Sequence, residues 1–217
     1  MIIENNLNIV QETDAKLRIN NSKIDPTDQE LSSIKIELAS AYEYYINNIS
    51  EYGHPVSLET ASYLLFLCRI QEAKQVVDLG SGFSSYVLEY YKNTAPYPVI
   101  SHHIDTDMEW AERTVAFGNI YGIDMRVQEF SDFVDIKNES FDIVFHDMAN
   151  GEIRNQTMPF ACSLLSSKGI IVFDDCQHDG HRQTSQDVCA HFGLEWVSLH
   201  SQTIDKINRF AAIGIKK

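Results

Sequence analysis

Val76-Val77-Asp78-Leu79-Gly80-Ser81-Gly82-Phe83-Ser84-Ser85 decides the fold of this chain. Two β-branched residues, an acid and a leucine predict a buried strand that stops at a glycine turn. Ser84 to Lys92 predicts a helix, with Tyr91 and either Val87 or Leu88 on its inward face. A strand, a tight glycine turn and a helix N-terminus make a site of nucleotide type, because glycines admit a ligand close to the backbone. The spacing narrows the ligand. A dinucleotide fingerprint needs a third glycine where helix meets strand, and Ser85 stands there. An acid at the end of the strand also offers nothing to a pyrophosphate, whereas Asp78 can face an ammonium or sulfonium cation.

Outward from this segment, strands and helices alternate. Strands are predicted at 75–79, 99–104, 124–129, 141–146, 169–174, 194–199 and 208–215, and helices at 84–93, 107–121, 152–166 and 181–192. Such alternation predicts an α/β fold: a Rossmann-like, doubly wound, mostly parallel sheet covered on both faces. The last two strands are separated by a polar stretch read as free of helix, so they should pair as a hairpin. Ahead of the sheet, the first 25 or so residues are polar and Asn-rich, reading as a loose arm. Thr27-x-x-Glu30 is a capping box after Asp25-Pro26, and it opens a helix with Leu31, Ile34, Leu38, Tyr42, Tyr45 and Ile49 in one apolar stripe. Tyr52-Gly53-His54-Pro55 ends that helix, and Ser57 caps the next. Residues 1–56 are therefore read as an N-terminal arm and helix, and 57–217 as the sheet domain. Tyr42, Tyr44, Tyr45 and Tyr52 suit a cover over the site, a contact in a homo-oligomer or plain packing.

Composition excludes several partners. The formal net charge of −14 repels a polyanion, which argues against nucleic acid. No apolar run approaches a membrane span, and the N-terminal residues lack a basic, apolar signal. Cys68, Cys162, Cys176 and Cys189 have no C-x-x-C spacing and read as reduced thiols of a cytoplasmic protein.

Other strand ends carry the remaining candidates. Asp105 closes the second predicted strand, 25 residues after Gly80, where a doubly wound fold sets an acid against ribose hydroxyls. Asp107 caps the following helix, and His102 and His103 point to opposite faces. Near the end of the third strand, Asp132 can accept from an adenine amino group and Phe130 can pack on the base. The fourth strand ends at His146-Asp147 and the fifth at Asp174-Asp175. If the two strands are neighbours, three carboxylates converge, and their repulsion asks for a cation. A hard divalent ion such as Mg²⁺ held by Asp147, Asp174 and Asp175 answers that need. The alternative reading is that Asp174 or Asp175 caps a helix while Asp147 lines the pocket. His178 and His181 follow the acid pair, and either could take a hydroxyl proton near neutral pH, whereas His146 faces away if Asp147 faces the pocket.

The run Asp78-Leu79-Gly80-Ser81-Gly82 resembles motif I, acid-x-Gly-x-Gly, of the class I S-adenosylmethionine-dependent methyltransferases. This resemblance covers roughly residues 57–217. It implies a seven-stranded sheet with an antiparallel final strand, and S-adenosylmethionine held by Asp78, Gly80, Ser81, Gly82, Ser84, Asp105, Phe130, Asp132 and Asp147. Asp147 followed by Asp174-Asp175 is similar to the macrolide-sugar O-methyltransferases, and close to the Asp and Asp-Asn of the catechol type. It implies metal-dependent O-methylation of a small, diol-like molecule. The catechol enzymes carry a lysine base three residues after their first metal Asp, and Asn150 stands here instead. Two other readings stay open: a metal-independent N- or O-methyltransferase, and a protein that binds S-adenosylmethionine without catalysis.

Overall fold

The computed structural model describes residues 18–19, 22–51, 54–133 and 140–217. Most of the Asn-rich arm, as well as Tyr52, lies outside these residues. The described chain begins with a two-residue pairing of β1 (Arg18–Ile19) and β2 (Ser22–Lys23). Helix α1 (Asp28–Asn48) then starts at the expected capping box. Thr27 Oγ1 accepts from the Glu30 amide at 3.2 Å, and the Glu30 carboxylate accepts from the Thr27 amide at 2.7 Å. Leu31, Ile34, Leu38, Ala41 and Tyr45 form its buried stripe. Ser57 caps α2 (Leu58–Ile70) by accepting from the Thr60 amide at 3.0 Å.

The alternating region follows as β3 (Gln75–Leu79), α3 (Phe83–Thr94), β4 (Ile100–Asp105), α4 (Met108–Ile120), β5 (Val127–Glu129), α5 (Phe130–Phe133), β6 (Phe141–His146) and α6 (Gly151–Ser163). It continues as β7 (Leu165–Phe173), α7 (Asp179–His191), β8 (Leu194–Ser198), α8 (His200–Thr203) and β9 (Ala212–Lys216). Three boundaries depart from the periodicity. β5 ends at Glu129 as predicted but begins only at Val127, and the chain then turns into α5 where a loop was expected. α6 ends early, so β7 begins at Leu165. The polar stretch before the last strand folds one helical turn, α8, in which the Leu199 carbonyl accepts from the Thr203 amide and hydroxyl.

Seven strands pair in the order β5-β4-β3-β6-β7-β9-β8. The first five are parallel, and β9 runs antiparallel to both β7 and β8. Alternate residues feed opposite cores. Val76, Ile143, Phe145 and Val172 join a cluster with α1, α2, α3 and α4, while Val77, Leu79, Val144 and Phe173 join one with α6 and α7. α1 therefore shares a core with the sheet domain. Tyr45 is fully buried against Phe83 and Phe117, and Tyr42 packs edge-on to Phe83 at 5.0 Å. Tyr44 lies at the edge of this cluster, 36% exposed. Among the described residues no helix is long and apolar enough to cross a membrane. All four cysteines are free and buried.

Candidate functional site

A cavity of about 420 Å³ opens at the carboxyl ends of β3, β4 and β6. Its volume falls within the range of roughly 300–1,000 Å³ usual for small-ligand sites. The β3–α3 turn supplies Gly80, Ser81, Gly82 and Ser84, β4 supplies Asp105, and the segment after β6 supplies Asp147 and Ala149. Tyr45, Trp110, His54 and Arg154 complete much of the wall. Place and topology agree, because β3 is where the strand order reverses in a doubly wound sheet.

Gly80 is needed for a closer contact than a ligand would make. Its φ is +110°, and a Cβ there would lie 2.3 Å from the Asp147 carbonyl oxygen. The segment after β6 thus rests on the first turn, fastened by the Asp147 amide donating to the Leu79 carbonyl at 2.8 Å. Gly82 is different: its backbone is extended, with φ 168°, and a Cβ would meet only the Tyr45 hydroxyl at 3.4 Å.

Asp78 sits beneath the turn, fully buried and away from the cavity wall. Its Oδ2 accepts from the Ser84 and Ser85 hydroxyls at 2.9 and 2.6 Å, while Oδ1 is buried with no hydrogen-bond partner. Burial pushes its pKa up to about 8, against the pull of the two serines. Asp105 is 5% exposed and lies on the wall. Its Oδ2 accepts from the Ser81 amide at 2.8 Å and the Ser81 hydroxyl at 2.6 Å, and its Oδ1 accepts from the amides of Thr106 and Asp107. Trp110 fixes the same turn by donating from its indole to the Ser81 carbonyl at 2.7 Å.

The three-carboxylate metal site expected at the ends of β6 and β7 does not form as read. Arg154, in the first turn of α6, puts its guanidinium among these acids. One nitrogen, Nη2, pairs with Asp147 and donates to the Ala149 carbonyl at 3.2 Å. The other, Nη1, donates to Asp175 Oδ2 at 2.6 Å. The cation that the acid cluster calls for is thus a side chain of this protein. Among the described residues, no group of three or more His, Cys, Asp and Glu converges as a metal site. The residues present do not fit Mg²⁺. Burial lifts Asp147 well above the usual carboxylate range against the pull of Arg154. Asp174 rises to about 7, through burial and the neighbouring Asp175. Asp175 goes the other way: against its burial, the Gln177 amide and Arg154 hold it below its ordinary value.

The other candidates lie apart from the cavity. His178 is exposed at the start of α7, and His181 is buried with Nδ1 2.9 Å from Asn155 Oδ1. Burial lowers the His181 pKa to about 4, with help from Arg154, which disfavours it as a base at neutral pH. Phe130 packs edge-on to Phe160 at 5.6 Å, and Asp132 is exposed on α5; neither lines the cavity. Residues 134–139, which follow, lie outside the described chain. Asn150, where the catechol enzymes have lysine, caps α6 by accepting from the amides of Glu152 and Ile153. The histidine that does reach the wall is His54, read from sequence only as a helix terminator. Arg154 was missed as well, although a basic residue in a first helical turn opposes the macrodipole and so signals a specific acidic partner.

No family model matches the sequence, and no curated protein matches it. Solved structures do share its fold. An O-methyltransferase from Bacillus cereus in complex with SAH (S-adenosylhomocysteine) superposes with a TM-score of 0.60 at 17% identity, covering 97% of both chains. The O-methyltransferase TomG from Streptomyces achromogenes, involved in tomaymycin synthesis and solved with SAM (S-adenosylmethionine), gives 0.60 at 16% identity over 97% of this chain and 96% of that one. A precorrin-6y C5,15-methyltransferase from Geobacter metallireducens gives 0.61 at 14% identity over 80% and 96%. The chain has the class I methyltransferase fold.

Proposed function

We propose that this protein binds S-adenosylmethionine and transfers its methyl group to a hydroxyl oxygen of a small molecule. The observation that carries this reading is the cavity itself, where the β3–α3 turn, Asp105 and the segment after β6 meet. The structure offers room and chemistry for that ligand. Asp105 stands at the wall, where ribose hydroxyls would take the place of the Ser81 hydroxyl among its donors, and Asp78 lies buried beneath the turn, holding Ser84 and Ser85 rather than facing the cavity. Fold neighbours solved with SAM or SAH support the same choice. The four buried free thiols accord with a reducing, cytoplasmic setting.

S-adenosylmethionine supplies, when bound, a methyl carbon made electrophilic by its sulfonium. The protein's part is to hold the acceptor oxygen in line and to receive the hydroxyl proton as the O–C bond forms and the S–C bond breaks. His54 is the wall residue suited to that proton, since its ring offers a nitrogen lone pair at the cavity while Asp147 is engaged by Arg154. With Arg154 paired to Asp147 and Asp175, no step in this reading is routed through a metal.

Calorimetry with S-adenosylhomocysteine and with NAD tests the cofactor. S-adenosylhomocysteine should bind, and Asp105→Ala should weaken it by about 1–3 kcal/mol through lost hydrogen bonds to a charged acceptor. Tight binding of NAD instead would overturn the reading. Assayed for methyl release to hydroxylated acceptors, His54→Ala should lose about 10²- to 10⁴-fold in turnover at unchanged cofactor affinity. Full turnover in that variant would remove His54 as the base. Binding with no turnover on any acceptor would favour a non-catalytic binding protein.

A further inference from the structure

We propose that Arg154 is the resident cation of the acceptor rim, occupying with its guanidinium the place that a divalent metal would take between the ends of β6 and β7. Asp147, Asp174 and Asp175 bring three carboxylates to adjacent strand ends, and such a cluster is stable only with protons or a cation. Arg154 reaches two of the three acids, one with each terminal nitrogen, and also donates to the Ala149 carbonyl. A planar fork of donors suits this double task, because it binds two acceptors in fixed directions where an ammonium would be a single point charge. The side chain is 11% exposed, so the pair interactions are little screened by water.

The local backbone is built around the same contact. Asn150 caps α6 and so places Arg154 one turn in, where a helical side chain leans back toward the N-terminus. That direction carries the guanidinium to the acids. A metal ion could enter only by displacing it from Asp147, Asp175 and the Ala149 carbonyl together, leaving a buried cation without partners. Arg154 also lines the cavity beside Asp147. Its functional consequence rests on the methyl-transfer reading: it is a positioning residue for Asp147, and its field favours an acceptor oxygen that is losing a proton.

The test reads the cation site directly. Wild-type protein stripped with EDTA is titrated with Mn²⁺ and followed by electron paramagnetic resonance, with circular dichroism as the check on folding. The wild-type protein should leave Mn²⁺ free up to about 1 mM, because Arg154 already holds two of the three carboxylates. Arg154→Ala frees them, and should gain at least about tenfold in Mn²⁺ affinity. Arg154→Lys keeps the charge and should exclude Mn²⁺, while losing the two-acid grip. Stoichiometric Mn²⁺ binding by the wild-type protein, abolished by Asp174→Asn, would overturn the proposal. So would a folded Arg154→Ala that gains no affinity. If Arg154→Ala does not fold, the wild-type titration decides alone. The Mn²⁺ result is independent of S-adenosylhomocysteine binding, so failure of the cofactor reading would be seen separately.

Discussion

Asp78 shows how one residue can be legible in type and illegible in state. An acid at the end of β3 is plain in the sequence; that it is buried on every side is not. His103, on the neighbouring strand, lies with Nδ1 4.0 Å from Asp78 Oδ2 and its other nitrogen 3.0 Å from Glu89 Oε1. Asp105 adds negative charge nearby. With a pKa raised to about 8, Asp78 is protonated in the free fold at neutral pH but ionised in the unfolded chain, whose carboxylates titrate near 4. The sign follows from linkage. The contribution of Asp78 to stability is full below about pH 4 and is lost as pH rises through about 8. Thermal unfolding of the ligand-free protein from pH 5 to 9 should therefore decline in midpoint less steeply in Asp78→Asn than in wild type. An unchanged slope would place the titration elsewhere.

At the scale of elements, the junction between the β3–α3 turn and the segment after β6 explains one motif glycine and leaves the other nearly free. Gly80 combines positive φ with a carbonyl 2.3 Å from where a Cβ would stand. Gly80→Ala should cost about 3 kcal/mol or more in urea unfolding, from backbone strain together with displacement of Asp147. Gly82→Ala has extended backbone and ordinary contact distance, and should stay within about 1 kcal/mol. Equal costs at both positions would mean that the packed β6 segment is not what demands glycine. Such a contact cannot be read from the motif, because it joins residues far apart in sequence. The elements themselves were mostly legible. Thr27 and Ser57 cap the helices they were expected to cap, and β3 and β6 have the predicted bounds. β5 begins late and α6 ends early because a strand or helix is bounded by its tertiary neighbours, and those are silent in local periodicity.

Over the whole molecule, alternating strands and helices, two buried faces and a terminal hairpin were legible from the sequence, and the antiparallel last strand of a seven-stranded sheet was implied by the family resemblance. The reason is that strand period, helix period and turn chemistry are local properties, and a doubly wound sheet follows once they alternate. The acids at strand ends were legible for the same reason, since the carboxyl edge of a parallel sheet is fixed by chain direction. What the sequence could not settle was who meets whom across that edge. It proposed a metal for Asp147, Asp174 and Asp175; the tertiary structure supplies Arg154 from the next helix. It proposed His178 and His181 as bases; one is exposed, the other is buried beside Asn155, and His54 reaches the wall instead. Local sequence determines where a strand stops and what side chain stands there. Only the packing of separate elements decides which charge lies within ion-pair distance of it, and that distance sets both its protonation and its chemistry.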